Sequence, residues 1–104
     1  MTTLETSEAD RPTFTGDVML VHAVGMHARP AVKLTKLAKK FQAQIQVRVT
    51  GVADWINAKS VAKIMAMRAA RGSIIEIKAS GSDAQAAVAA LIDLIAADFP
   101  DEAV

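Results

Sequence analysis

Residues 44–50 read Gln-Ile-Gln-Val-Arg-Val-Thr, and in this stretch polar and apolar side chains alternate without a break. Side chains of a β-strand point alternately to the two faces of a sheet, so this period of two predicts a strand with one buried and one wet face. Residues 75–79 repeat the pattern, with Glu76 and Lys78 on the polar side. A sheet that is apolar on one face only needs a layer of helices on that face and water on the other.

Three segments with apolar residues at helical spacing can supply that layer. The first covers residues 28–41, with Pro30 in its first turn, where a missing amide proton leaves no gap. The second covers residues 60–69 and the third residues 84–95. Residues 82–85 read Ser-Asp-Ala-Gln, and this S-x-x-Q form predicts a capping box at the start of the third helix.

The order of these elements predicts the fold class. Shorter apolar stretches at residues 17–22 and 54–57 add two strands, which gives the order strand, helix, strand, strand, helix, strand, helix. With one polar sheet face, this order predicts a two-layer α+β domain that carries all three helices on one face. We assign residues 14–98 to this domain, residues 1–13 to a flexible N-terminal tail and residues 99–104 to an acidic C-terminal tail.

Length and composition exclude several classes of protein. A chain of 104 residues forms one domain, because chains split into separate cores only at roughly 250 to 300 residues. The absence of cysteine excludes disulfides and thiolate chemistry, and two histidines are too few for a three-histidine metal site, so we expect no metal or other cofactor. No apolar run is long enough for a membrane span and the polar, acidic start is unlike a secretion signal, so we expect a cytoplasmic protein.

Charge is divided unevenly along the chain. Residues 21–80 carry eleven basic and two acidic side chains, a net charge of +9, whereas residues 1–20 carry −3 and residues 81–104 carry −5. A basic centre between acidic ends favours an anionic partner, which could be nucleic acid, a phosphorylated group or an acidic protein surface. A lysine-rich helix face that is merely solvated accounts for the same charges.

His27 lies in the loop that joins the first predicted strand to the first helix. A helix begins with amide protons that lack partners and with a partial positive charge, so it attracts an anion to the residue just before it. Arg29 adds a permanent positive charge, and an imidazole at this place can attack phosphorus and carry a phosphoryl group. The alternative is that His27 only caps the helix. We assign a structural role to His22, which has no basic neighbour.

Ser60 immediately precedes the second predicted helix. Serine in that position is most often an N-cap, whose oxygen accepts a hydrogen bond from the first turn. The same position would also suit a phosphate on the hydroxyl group. The residues alone leave both alternatives open.

Two motifs taken together resemble a known family. Residues 25–31, Gly-Met-His-Ala-Arg-Pro-Ala, and residues 57–61, Asn-Ala-Lys-Ser-Val, are similar to the two signatures of HPr, the histidine-containing phosphocarrier of the bacterial phosphoenolpyruvate-dependent phosphotransferase system. Gly72, residues 79–83 and the alanine-rich last helix also stand where the family has them. The resemblance covers residues 15–97.

This resemblance implies an HPr-like open-faced β-sandwich, in which a four-stranded antiparallel sheet carries three helices on one face. His27 would take the phosphoryl group on Nδ1 from phospho-enzyme I and pass it to a histidine of an A-type enzyme II component. Arg29 would steady the phosphate, and Ser60 would match the serine that HPr kinase/phosphorylase modifies in some bacteria. The protein would then be a monomeric carrier with no catalytic turnover of its own and no cofactor.

The resemblance also implies a docking surface beside His27. Its apolar part would consist of Val61, Ala62 and Met65. A basic ring would face acidic partner surfaces and speed their encounter. This ring would consist of Lys36, Lys39, Lys59 and Lys63.

Several residues indicate whether the relay is of the sugar-transport or the nitrogen-related type. Val24 stands where sugar-transport members often have Asn or Ser, and both Gly25-Met26-His27 and the Asp98-Phe99 ending are closer to the nitrogen-related paralogue NPr. Lys59-Ser60 is typical of the kinase-regulated form. We therefore expect a nitrogen-type, regulatory relay, with sugar transport as the alternative branch.

A small nucleic-acid-binding domain is the alternative from a different class, and the basic centre of the chain favours it. Proteins that bind single strands stack bases on aromatic side chains, whereas aromatic residues make up 4% of this chain and tyrosine is absent. The polar faces of residues 44–48 and 76–78 contain no aromatic side chain. We therefore expect neither a nucleic-acid partner nor membrane insertion.

Overall fold

A computed structural model describes residues 12–52 and 54–100 of the chain. This part of the chain contains four strands and three helices. The strands are β1 (Thr13–Met19), β2 (Gln44–Val49), β3 (Ile56–Asn57) and β4 (Ile74–Ser80). The helices are α1 (Ala28–Ala38), α2 (Val61–Ala66) and α3 (Ala84–Ala96). The order of the elements is the predicted one.

The strands form one antiparallel sheet in the order β1-β4-β2-β3. β4 comes last in the chain but lies between β1 and β2, and it pairs with β1 from Thr13↔Ser80 to Met19↔Ile74. On its other side, Ile77 of β4 is opposite Val47 of β2. The predicted α+β class and the open-faced sandwich with a four-stranded antiparallel sheet are confirmed.

The three helices cover one face of this sheet and enclose the core. On β4, Ile75 and Ile77 are fully buried, whereas Glu76 and Lys78 on the opposite face are half-exposed. Each helix adds side chains to the same core, among them Leu34, Ile64 and Leu91. Burying one such side chain contributes about 1.5 to 3 kcal/mol, so this layer is what keeps the sheet in place.

The first strand differs from its prediction. β1 covers Thr13–Met19, whereas the apolar run predicted a strand at residues 17–22. The partner strand decides the bounds, because β4 pairs with Thr13 to Met19, and the main-chain bonds of Leu20 go to Ser73 and Gly72 in the turn before β4. Val21 and His22 therefore belong to the loop that leads to α1.

Both shorter helices end before the predicted residue. α1 ends at Ala38 and α2 at Ala66, whereas the apolar spacing extended to residues 41 and 69. After α2, Arg68 has a left-handed backbone with φ of 53°, which a right-handed helix cannot include. The apolar spacing does not reveal this turn. Ala69 is buried after the turn, and a helix that continued to residue 69 would bury it as well.

The predicted capping box at α3 is wrong, although α3 begins at Ala84 as expected. Asp83, not Ser82, is the N-cap, and its side chain makes no capping hydrogen bond. The Asp83 carboxylate accepts the backbone N–H groups of Gln42 and Ala43, each at 2.8 Å. These bonds, led by the one from Gln42, lower the pKa of Asp83. Asp83 thus ties the start of α3 to the loop that follows α1.

The end of the described chain packs onto the domain. Phe99 is 4% exposed and belongs to the core, whereas the sequence placed it in the acidic tail. Its carbonyl oxygen accepts a hydrogen bond from Lys33 Nζ at 2.8 Å, and His22 Nδ1 lies 2.8 Å from an oxygen of Asp98. The packed unit therefore extends past residue 98, and it includes Thr13, the first residue of β1, which the sequence placed in the N-terminal tail.

The predicted tails otherwise lie outside the described residues, which exclude residues 1–11 and 101–104. Within residues 12–52 and 54–100, no helix combines the length and the apolar character needed to cross a membrane.

The face of the sheet opposite the helices carries an aromatic contact that the strand patterns did not predict. Trp55 precedes β3, and its ring centre lies 4.3 Å from the Arg48 guanidinium carbon and 4.5 Å from Lys78 Nζ. Arg48 also donates from Nε to Glu76 at 2.7 Å. This hydrogen bond, with a weaker one from Thr50, lowers the pKa of Glu76. The two strand cations on this face are thus engaged within the domain.

Candidate functional site

Backbone contacts hold the loop between β1 and α1 in place. Gly25 turns this loop with φ of +76°, and a Cβ at Gly25 would lie only 2.6 Å from the carbonyl oxygen of Ala69. The next residue, Met26, is buried and donates its N–H to that same oxygen at 2.9 Å. His27 then donates its backbone N–H to the Gly25 oxygen at 3.0 Å. The position of His27 is therefore set by main-chain bonds.

His27 is the N-cap of α1, with extended backbone angles φ −89° and ψ −172°. Its carbonyl oxygen accepts the first helical hydrogen bond, from Ala31 N–H at 2.9 Å, but its side chain makes no capping bond and is exposed. No acidic residue lies in the first turn of α1. The imidazole thus stands in solvent beside a helix start whose partial positive charge no carboxylate on α1 offsets.

Two surface depressions flank the start of α1. The Arg29 depression, about 340 Å³, is lined by His22, Arg29, Pro30, Lys33, Phe99 and Pro100. The His27 depression, about 420 Å³, is lined by Val24, Met26, His27, Met65, Arg68, Ala69 and Ala70. Arg29 is exposed in the first turn of α1, but the structure places it at a different depression from the imidazole.

Ser60 is the N-cap of α2, and its hydroxyl oxygen accepts the Lys63 N–H at 3.2 Å. A second side chain fixes the same turn, because Asn57 Oδ1 accepts the Lys59 N–H at 2.9 Å. Ser60 is half-buried. The structure therefore shows the capping role for this serine, and the capping bond leaves the hydroxyl group able to donate.

The residues predicted for partner docking fall into two groups. Met65, 39% exposed, lines the His27 depression, and Val61 and Ala62 precede it on α2 as half-buried and exposed residues. Lys36, Lys39 and Lys63 are exposed.

Lys59 is held away from the site. Its ammonium donates to the carbonyl oxygen of Phe41 at 2.7 Å, and Phe41 lies beyond the end of α1. An 11-residue helix is roughly 16 Å long, so this cation lies about one helix length from His27.

Sequence reasoning missed Arg68. This residue is exposed, lines the His27 depression and has φ of 53°. A left-handed backbone costs a residue with a Cβ roughly 1 to 2 kcal/mol, which is why glycine or asparagine usually marks such a turn. Arginine carries no such signal, so the sequence had no local marker for this position.

No group of three or more histidine, aspartate and glutamate side chains is arranged to hold a metal ion among the described residues. The chemistry that the site offers is that of one exposed imidazole, arginine side chains and the amide groups of a helix start. The fold and the site define a small α+β domain with an exposed imidazole, that of His27, at the start of α1.

Comparison with known proteins agrees with this description. The family model described as the phosphotransferase-system HPr component phosphorylation site matches residues 14–97. Phosphocarrier protein HPr of Cupriavidus necator is 36% identical over 83 residues, which is 80% of this chain and 91% of that protein. Phosphocarrier protein NPr of Escherichia coli is 34% identical over 85 residues, which is 82% of this chain and 93% of that protein.

A solved structure gives the same result. The crystal structure of HPr-C-His from Thermoanaerobacter tengcongensis superposes with a TM-score of 0.78 at 34% identity, over 86% of this chain and 98% of that one. The chain therefore belongs to the HPr family of phosphotransferase-system phosphocarriers.

Proposed function

We propose that this protein accepts a phosphoryl group on His27 from phospho-enzyme I and passes it to an A-type component of enzyme II. The observation that carries the proposal is the His27 ring, exposed and without a capping bond at the start of α1, within the segment that matches the phosphorylation-site family. A ring that held the loop together would have to give up a bond before it reacted. Here main-chain bonds hold the loop, so the ring is available.

In the proposed step, a ring nitrogen of His27, Nδ1 by family resemblance, attacks the phosphorus of the donor phosphohistidine. A nitrogen–phosphorus bond forms on His27 while the donor's nitrogen–phosphorus bond breaks, and the bonding pair returns to the donor ring. Charge spreads over the three phosphoryl oxygens in such a transfer. The amide groups at the start of α1 and the Arg29 guanidinium stabilise that charge.

A carrier must release the group as readily as it accepts it. Exposed interactions with a helix start are worth about 0.3 to 1 kcal/mol, which stabilises the phosphoryl group without trapping it. The reaction returns the ring to its original state only after a second protein takes the phosphate. We therefore assign to this chain no turnover of its own.

Partners dock, in this proposal, on the apolar face next to His27. Met65 offers exposed apolar surface at the His27 depression, and Lys63 lies on the same short helix. Lys36 lies on α1, in its last turn. Exposed cations of this kind raise the rate of encounter with an acidic partner more than they raise affinity, which suits a relay.

The test of the proposal uses purified enzyme I and labelled phosphoenolpyruvate. We expect the protein to acquire phosphate that is labile in acid and stable in alkali. His27→Ala should abolish the labelling. His22→Ala is the matched control, because it removes the other imidazole of the chain and should leave the labelling intact. Labelling that survives His27→Ala would contradict the assignment.

We further propose that the protein acts in a nitrogen-type relay rather than in sugar transport. Its support is the apolar Val24, 62% exposed beside His27 in the same depression, where sugar-transport relatives often have a polar side chain. Phosphorylated protein mixed with equal amounts of a nitrogen-type and a sugar-type A component should lose its phosphate faster to the nitrogen-type protein. Preferential transfer to the sugar-type component would instead assign the chain to sugar transport.

Ser60 is the proposed point of regulation by HPr kinase/phosphorylase. A phosphate there adds about −1.5 to −2 charge next to Lys63 and near Met65, where enzyme I is proposed to dock. Ser60→Asp should therefore slow phosphate acceptance from enzyme I, whereas Ser60→Ala should not. A Ser60→Asp protein that accepts phosphate at the wild-type rate would remove this mechanism.

A further inference from the structure

Arg68 is the positively charged residue that shares a depression with the reactive ring. His27 and Arg68 both line the His27 depression, whereas Arg29 lines the other one. The Arg68 side chain is exposed and makes no hydrogen bond or ion pair with any residue in 12–52 or 54–100. Its guanidinium is thus available to an anion that approaches His27 from this side.

The main chain fixes Arg68 relative to His27. Ala69 directly follows Arg68, and its carbonyl oxygen accepts the N–H of Met26, which directly precedes His27, at 2.9 Å. On the other side, Arg68 N–H donates to the Met65 oxygen at 3.1 Å. Each of the two side chains therefore projects from a residue next to the same interloop hydrogen bond.

The backbone of Arg68 is strained. Its φ of 53° lies in the left-handed region, where a side chain is unfavourable and glycine is not. Residues held in such conformations cluster at active sites and ligand clamps, although Asp98 and Phe99 share the left-handed φ in this protein. The strained backbone is therefore consistent with a functional role of the Arg68 side chain.

The other described residues that line the His27 depression carry no positive charge. Apart from His27 and Arg68, they are apolar: Val24, Met26, Met65, Ala69 and Ala70. A phosphoryl group on His27 that turned toward this surface would meet no cation except Arg68. Arginine is suited to this task because its planar guanidinium binds phosphate oxygens in pairs and stays charged at every working pH.

We propose that Arg68 binds the phosphoryl group on His27, as a second arginine at the depression that His27 lines and Arg29 does not. The proposal rests on the proposed function and adds a phosphoryl-binding residue to it. During transfer, the guanidinium donates hydrogen bonds to phosphoryl oxygens on which charge develops.

Kinetics of phosphate acceptance provide the first test. Arg68→Gly removes the guanidinium and places glycine at a left-handed position, so the fold should be preserved. We expect kcat/KM for acceptance from enzyme I to fall about tenfold, with Arg68→Lys intermediate. Arg71→Gly is the matched control, because Arg71 is an exposed arginine in the same loop but lines neither depression, and it should remain near wild type.

NMR on the isolated phosphoprotein provides the second test and excludes a role in partner docking. In ¹⁵N-arginine-labelled protein, phosphorylation should shift the Arg68 Nε–H signal and leave the Arg71 signal unchanged. Suppose that Arg68→Gly accepts phosphate slowly but that phosphorylation of the wild-type protein does not shift its Arg68 signal. Arg68 would then bind the partner rather than the phosphoryl group, and this would overturn the proposal. Equal rates for Arg68→Gly and wild type would also overturn it.

These outcomes are distinct from failure of the proposed function. If His27 is not phosphorylated at all in the wild-type protein, the phosphocarrier assignment fails and the Arg68 proposal falls with it. If His27 is phosphorylated and Arg68→Gly behaves as wild type, the assignment stands and only the role of Arg68 is removed.

Discussion

The starts of α1 and α2 solve the same structural problem in opposite ways. At α2, the side chain of Ser60 satisfies the helix start by accepting the Lys63 N–H, and Asn57 fixes the preceding turn by accepting the Lys59 N–H. At α1, the N-cap His27 makes no side-chain capping bond, and the main chain of Gly25, Met26 and Ala69 fixes the loop instead.

Under the proposed function, this difference shows how a small domain can keep a reactive side chain available. A side chain that caps a helix contributes about 1 kcal/mol and cannot leave its place without losing that stability. A ring positioned by its neighbours can gain and lose a phosphoryl group while the fold stays unchanged. In our proposal, the α1 start therefore serves phosphoryl transfer, whereas the α2 start serves stability and control.

Substitution of His27 should change phosphate acceptance more than any other substitution considered below. Since its ring makes no capping bond and is exposed, His27→Ala should change the free energy of unfolding by less than about 0.5 kcal/mol while phosphate acceptance is lost completely. Urea denaturation and enzyme I labelling of the same preparation measure the two effects. A large loss of stability would show that the His27 ring helps to hold the loop, and the contrast between the two helix starts would then be wrong.

The next effect concerns the backbone that positions His27. Gly25→Ala places a Cβ 2.6 Å from the Ala69 oxygen at a φ of +76°, so strain and overlap should destabilise the protein by about 2 to 4 kcal/mol. Gly51→Ala is the control, since Gly51 has φ of +92° with no atom within 4 Å of the added Cβ.

Gly51→Ala should lose only about 1 to 2 kcal/mol, the cost of the left-handed backbone. Phosphate acceptance should fall in Gly25→Ala and not in Gly51→Ala, when both are assayed well below their melting temperatures. Equal losses of stability at both positions would mean that the close packing of Gly25 against Ala69 is not what holds the loop.

A smaller effect is expected at the start of α2. Ser60→Ala removes the acceptor for Lys63 N–H and should cost about 1 kcal/mol of stability, with the acceptance rate of His27 unchanged. Ser60→Asp retains a capping acceptor and should recover most of that stability, so it serves as the structural control. If Ser60→Ala slowed acceptance as well, the two helix starts would not be independent.

The smallest effect is the pH dependence of stability, which should arise outside both helix starts. Neither α1 nor α2 has an acidic residue in its first turn, whereas bonds from Gln42 and Ala43 lower the pKa of Asp83. A carboxyl group whose pKa is lower in the folded state than in the unfolded state stabilises the fold at pH values above its unfolded-state pKa, about 3.9. This contribution is lost as the pH falls through the folded-state pKa.

Stability should therefore decline below about pH 4 in the wild-type protein. Asp83→Asn should be less stable near neutral pH and should show a shallower decline in acid, as measured by urea denaturation from pH 7 to 3. An acid decline as steep as that of the wild type would exclude Asp83 as a main source.

Local patterns predicted most of this fold because local forces decide those parts. The alternation in residues 44–50 predicts β2, since each side chain meets either the core or water. Pro30 and the spacing after it predict the start of α1 correctly. The motif residues His27 and Arg29 were also identified from sequence, although only the structure shows that they line separate depressions.

The parts that sequence missed depend on distant segments. The bounds of β1 follow from the length of β4, and the place of Phe99 follows from its packing against His22 and from the Lys33 bond. The carboxylate of Asp83 bonds to amides some forty residues away rather than to its own helix. Arg68 joins the site because the chain turns through a left-handed residue, which no local composition marks.

In our proposal, the ring of His27, and not that of His22, carries the phosphoryl group. The most direct measurement is an NMR spectrum of ¹⁵N-histidine-labelled protein before and after addition of enzyme I and phosphoenolpyruvate. We expect the Nδ1 signal of His27 to change to that of a phosphorylated nitrogen, while the His22 ring, held by Asp98, is unaffected. A phosphorylated His22, or two unchanged rings in the presence of active enzyme I, would contradict it.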